Sequence, residues 1–222
     1  MSRVVAGVLA LVLQLPVAAA PDVVEWFPGG TYDPAVPTIR KVLGFDPPAR
    51  FTTFYETEKL LHTWAQAVPD RCRLIQYGED YEGKALYLLV VSSPDNIKTL
   101  DAIRDKLAKL ADPRLLADAH ELDEIVKTTP ASFLISTVDT SEASTVEAMQ
   151  LIAYQLLAGT DPLTTRIRRD VVTYIVPVEN PSPRERYVAW YNTVRSAIPK
   201  ADPAAAEHDE PWGFNDTNHY LL

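Results

Sequence analysis

Asp139 and Glu142 stand three residues apart at the junction of an apolar run and an amphipathic one. Two donors spaced this way at a strand end can turn toward a single divalent cation. The usual pair in such a frame is His-x-x-Glu, a neutral imidazole beside a carboxylate. Here Asp139 takes the imidazole's place. Its side chain is shorter and adds a negative charge where the frame expects a neutral donor.

Other groups with chemical potential are scattered. Arg184, Arg186 and Arg195 each read most simply as solvated surface charge. His208 and His219 fall in predicted loop with no ligand spacing to a partner, while His62 and His120 fall on predicted helices. Cys72 is the single cysteine, so no internal disulfide forms, and it reads as a core residue rather than a nucleophile.

The elements that must position Asp139 and Glu142 are legible. Phe133–Val138 reads as a buried strand, Ser144–Leu157 as a helix and Val171–Val176 as a further strand. That order predicts a crossover unit in an α/β sheet. Upstream, Leu60, Leu61, Trp64 and Val68 recur at helical spacing until Pro69. Strands over Arg73–Tyr77 and Ala85–Val91 flank turn glycines at 78 and 83, which predicts an antiparallel hairpin. Residues 95–129 carry two helical stripes, Leu100/Ile103/Leu107/Leu110 and Leu115/Ala119/Leu122/Val126, both expected to face a core and separated by Asp112-Pro113. After Asn180-Pro-Ser-Pro183 the pattern weakens, and residues from 203 onward read as loop.

Composition sets the bounds. Arg3, the apolar run Val4–Leu13 and Ala18-Ala-Ala20 give residues 1–20 the form of a cleavable export signal, too short for a comfortable membrane span. Residues 21–50 are a proline-rich lead-in expected to lie extended over a surface, and 51–222 form the globular part. A formal charge of −9 with no basic stripe argues against a nucleic-acid partner.

Four stretches taken in order carry a family resemblance. They are Tyr32-Asp-Pro-Ala-Val-Pro-Thr38 with Val42-Leu-Gly44, Tyr77-Gly-Glu-Asp-Tyr-Glu-Gly-Lys84, Asp139-Thr-Ser-Glu142 and Val176-Pro-Val-Glu-Asn-Pro181. Together they resemble the zinc carboxypeptidases of the pancreatic carboxypeptidase type, and among these the large exported bacterial branch. The resemblance implies a mixed, mostly parallel sheet flanked by helices, with a zinc ion at the carboxyl ends of its strands. Zinc would activate a water and polarise a peptide carbonyl. Glu142 matches the family's carboxylate ligand and Asp139 the position of its first histidine. Lys84 replaces an expected Arg, Ser182-Pro183 replace an expected Asp-Gly, and Arg184, Arg186 and Arg195 all lie in the region that by this resemblance supplies the oxyanion-stabilising arginine. The third ligand and the catalytic glutamate have no matching positions, and His219-Tyr220 resembles the lead-in to the motif that grips the substrate carboxylate.

The resemblance therefore implies the amino-terminal part of a metallocarboxypeptidase domain acting on peptides, with its carboxy-terminal part missing and the isolated chain inactive. Alternatives are a non-catalytic peptide- or cell-wall-binding pseudoenzyme and a truncated gene product. Glu142 then has a second reading as a helix N-terminal carboxylate held only by the helix dipole. A half-domain should leave one sheet edge and part of its core bare.

Overall fold

The computed structural model describes residues 26–47, 49–137, 144–198, 200–209 and 211. Its centre is a four-stranded mixed sheet in the order β1-β2-β4-β3, flanked by helices. β1 (Cys72–Glu79) and β2 (Ala85–Val91) form the expected antiparallel hairpin. Gly83 turns it with φ at +79°, a conformation that a side chain would strain. β2 runs antiparallel to β4 (Val171–Val176), and β3 (Ala131–Ser136) runs parallel to β4 along its whole length. The crossover from β3 to β4 passes through α6 (Ser144–Ala158) and α7 (Pro162–Asp170). The sequence reading missed α7, whose start Asp161 marks by capping the amide of Thr164 at 2.9 Å.

Helices cover both faces of the sheet. On one, α2 (Phe54–Ala67) and α6 pack against Leu89, Val91 and Ile175, around a Trp64 that is wholly buried. A capping box between Thr53 and Glu56 starts α2 where the sequence places it. On the other face, α3 (Pro94–Lys98) and α4 (Leu100–Ala111) bury Ile97, Leu100 and Ile103 against Val90 and Val172.

Four expectations need correction. The proline-rich lead-in is not wholly extended: Thr38 caps a short helix, α1 (Ile39–Leu43), in a stretch free of proline, and Val36 and Ile39 enter the core. The second stripe of residues 95–129 does not face a core. Leu115, Leu122 and Val126 are exposed, and Ile125 is the residue that α5 (Ala119–Thr128) buries. Residues 181–194 are helical, not irregular. α8 (Pro181–Val194) carries both its prolines in its first turn, where no intrahelical N–H is needed. Finally, β3 is not buried. It is an edge strand of the described sheet, with Phe133 58% and Leu134 63% exposed.

Candidate metal centre and its surroundings

The carboxyl ends of β3 and β4 lie side by side, the place where open α/β sheets carry their sites. Thr137 ties the two strand ends together. Its amide donates to the Val176 carbonyl at 3.2 Å, and its hydroxyl accepts from the Glu179 amide at 2.9 Å. Asp139 and Glu142 lie outside the described residues, between Thr137 and the start of α6.

One turn into α6, a buried polar network fastens this end of the fold. Glu147 Oε1 accepts from the Thr52 amide and hydroxyl, both at 2.7 Å, and from Arg184 Nη2 at 2.6 Å. Arg184 Nε donates to the Thr52 carbonyl at 2.9 Å. Gln150, one turn further along, donates to the Thr52 and Thr57 hydroxyls at 2.7 and 3.0 Å. Arg184 is wholly buried, and its guanidinium is pulled below its usual range by burial, an effect opposed by the Glu147 carboxylate. Sequence reasoning missed this network. The polar pair at 147 and 150, one turn apart on a helix whose middle is mostly apolar, was the signal available.

The three arginine candidates therefore differ. Arg184 is not solvated but committed to Glu147. Arg186 pairs with Glu82 of the hairpin. Arg195 caps the far end of α8, exposed, and makes no side-chain hydrogen bond among the described residues.

The two departures at 84 and 182 touch one another. Lys84 Nζ donates to Ser182 Oγ at 2.8 Å, and Ser182 Oγ donates to Asp80 Oδ2 at 2.6 Å. Ser182 is buried in the first turn of α8. This part of the altered loop thus bridges the hairpin to α8 as packing.

The three histidines among the described residues do not converge. His62 Nε2 meets the Tyr87 hydroxyl at 3.2 Å, His208 Nε2 meets the Lys200 carbonyl at 2.7 Å, and His120 is exposed on α5. His219 lies outside the described residues. Among the described residues no three His, Cys, Asp or Glu side chains come together as a metal site. The described residues therefore do not by themselves fit a zinc ion. Cys72 is buried, and burial pushes its thiol up to about 11, so it stays protonated at neutral pH.

Comparison with known proteins follows the same line. A family model described as zinc carboxypeptidase matches residues 57–195, more than half of the chain. The chain belongs to the zinc carboxypeptidase family. Among solved structures, carboxypeptidase A from Helicoverpa armigera is 17% identical over 61% of this chain and 26% of its own, with a TM-score of 0.43. Thrombin activatable fibrinolysis inhibitor is 15% identical over 62% of this chain and 27% of its own, at 0.42. The bovine form of that protein, in complex with tick carboxypeptidase inhibitor, is 15% identical over 61% of this chain and 33% of its own, at 0.36. The chain thus spans between a quarter and a third of the length of these structures. No curated protein matches.

Proposed function

We propose that these residues are the amino-terminal part of a zinc metallocarboxypeptidase domain whose chemistry on peptides needs donors beyond them. The observation that carries this reading is the bare edge of β3. Phe133 and Leu134 stand exposed on opposite faces of that strand. Beside it opens an apolar groove of about 720 Å³, walled by Phe133, Ile135, Ile152, Leu156 and Ile167. An edge left open in this way among the described residues is a template on which further polypeptide can pair. Glu142 and Asp139 would then be two donors of a site that the remainder completes. Arg195, uncommitted, is the oxyanion candidate this reading favours over Arg184 and Arg186.

Export through residues 1–20 fits the same reading, as does the division into a lead-in over 21–50 and a partial domain over 51–222. Among the described residues no helix is long and apolar enough to cross a membrane. The test is release of C-terminal amino acids from peptides by the 222-residue chain, with added zinc and with a chelator. No release is expected, and chelator-sensitive turnover by this chain alone would overturn the reading.

A second reading, a pseudoenzyme that binds peptide or cell wall without catalysis, rests on Asp139. Ser182, which sequence alone could place on the same side of the argument, is accounted for by its contact with Lys84. Asp139→His should leave zinc binding weak if further donors are required, and restore it if that residue is the sole defect.

A further inference from the structure

Away from the metal loop, the last turn of α6 and the residues around α1 enclose a cleft of about 620 Å³. Such a volume is within the range of small-molecule sites. Tyr32, Asp33, Pro37, Thr38, Lys41 and Tyr154 line it. Tyr154 lies ten residues into α6, so about 15 Å along the helix from its first turn.

The polar groups of this cleft divide unequally. Its side-chain acceptors are engaged: Asp33 Oδ1 accepts from the Ala35 amide at 2.9 Å, Asp33 Oδ2 from Arg71, and Thr38 Oγ1 from the Lys41 amide at 3.1 Å. The pairing with Arg71 also balances the Asp33 charge. Among its donors, Arg40 is taken up by Asp46, whereas Tyr154, Thr38 and Lys41 each keep one without a partner among the described residues. Tyr154 is only 8% exposed, yet its hydroxyl makes no hydrogen bond among the described residues. The Thr38 hydroxyl hydrogen and the exposed Lys41 ammonium have no partner there either. Burial, then Tyr32 and Asp33, pushes the Tyr154 phenol up to about 12, so it keeps its proton. The Tyr154 oxygen is not sealed from the cleft, so its hydroxyl is a donor that a ligand oxygen can take up in place of water. Around these donors the walls are flat and apolar. The Tyr32 and Tyr154 rings stack with centroids 5.4 Å apart, beside Pro37 and the buried Val36.

We propose that the cleft binds a small organic oxyanion carried on a planar or apolar body. The Tyr154 and Thr38 hydroxyls and the Lys41 ammonium donate to its oxygens, while the Tyr32 ring and Pro37 hold its body. This site is independent of the zinc reading and of residues 138–143.

The test is calorimetric titration of the full chain with benzoate, phenyl phosphate and the neutral benzamide. One benzoate or phenyl phosphate per chain is expected, with benzamide at least about tenfold weaker. The tighter of the two anions identifies carboxylate or phosphate as the natural head group. Tyr154→Phe keeps the ring stack and should weaken the anion about tenfold, while Lys41→Gln, at an exposed position, should weaken it several-fold. Equal binding of benzamide, no saturation by either anion at millimolar concentration, or Tyr154→Phe binding within twofold of the parent would overturn the proposal.

Discussion

Replacing Arg184 with Met removes the cation paired with the buried Glu147 carboxylate. The change deletes a 2.6 Å charge-assisted bond to Glu147 and a 2.9 Å bond to the Thr52 carbonyl. Neither side chain has meaningful access to water, at 0% and 7% exposure, so the stranded carboxylate cannot resolvate without opening the structure. Breaking a buried pair from one side costs about 3–5 kcal/mol, a large share of the roughly 5–15 kcal/mol that holds a typical domain together. Glu147→Leu alone should also destabilise, because it removes the carboxylate that balances the buried guanidinium. The double variant should be more stable than the summed single losses by about 2 kcal/mol or more, since neither charge then remains buried alone. Arg184→Lys keeps the charge but loses the planar fork, so it should fall between parent and Met and remain measurable if Met unfolds the chain. Urea unfolding followed by far-ultraviolet circular dichroism reads all four. Strictly additive single losses, or an Arg184→Met loss below about 1 kcal/mol, would show the pair to be solvated and refute the reasoning.

Three further outcomes are expected. Cys72, buried with a raised thiol, should resist iodoacetamide at pH 7.5 (a working pH of roughly neutral character) in the folded chain and react fully once urea unfolds it; rapid native labelling would contradict its placement. Leu134→Lys on the bare strand should reduce dye binding to exposed apolar surface and concentration-dependent association, with little change in circular dichroism; loss of the fold instead would place Leu134 in a core. Arg71 beside Asp33, with the Ala35 amide, holds that carboxyl below its usual range. Asp33 therefore contributes stability above the ordinary carboxylate pKa and loses it as pH falls through the lowered value. Asp33→Asn should accordingly flatten the acid side of the stability profile; an unchanged acid limb would refute the pairing.

Much of the architecture was legible because periodicity and punctuation agreed. The hairpin, α2, α6 and β4 each combine a clear apolar period with a cap, a turn glycine or a flanking proline. α8 was hidden because Pro181 and Pro183 look like breakers, though in a first turn they cost no hydrogen bond. The second stripe over 115–126 and the strand at 133–136 misled for a different reason. Apolar periodicity reports which face a residue shares, not whether anything covers that face, and Val126 and Leu134 are apolar, periodic and exposed. At the site, residue types alone marked Asp139 and Glu142, but long-range contacts decide roles. Glu147 meets Arg184 across 37 positions and Lys84 meets Ser182 across 98, distances at which a single sequence gives no signal.

Metal content tests most directly the proposal that a zinc site in this member of the zinc carboxypeptidase family needs donors beyond the 222 residues. Elemental analysis after zinc loading and dialysis should find well under one zinc per chain, lost to a mild chelator. One zinc per chain, retained against that chelator, would contradict it.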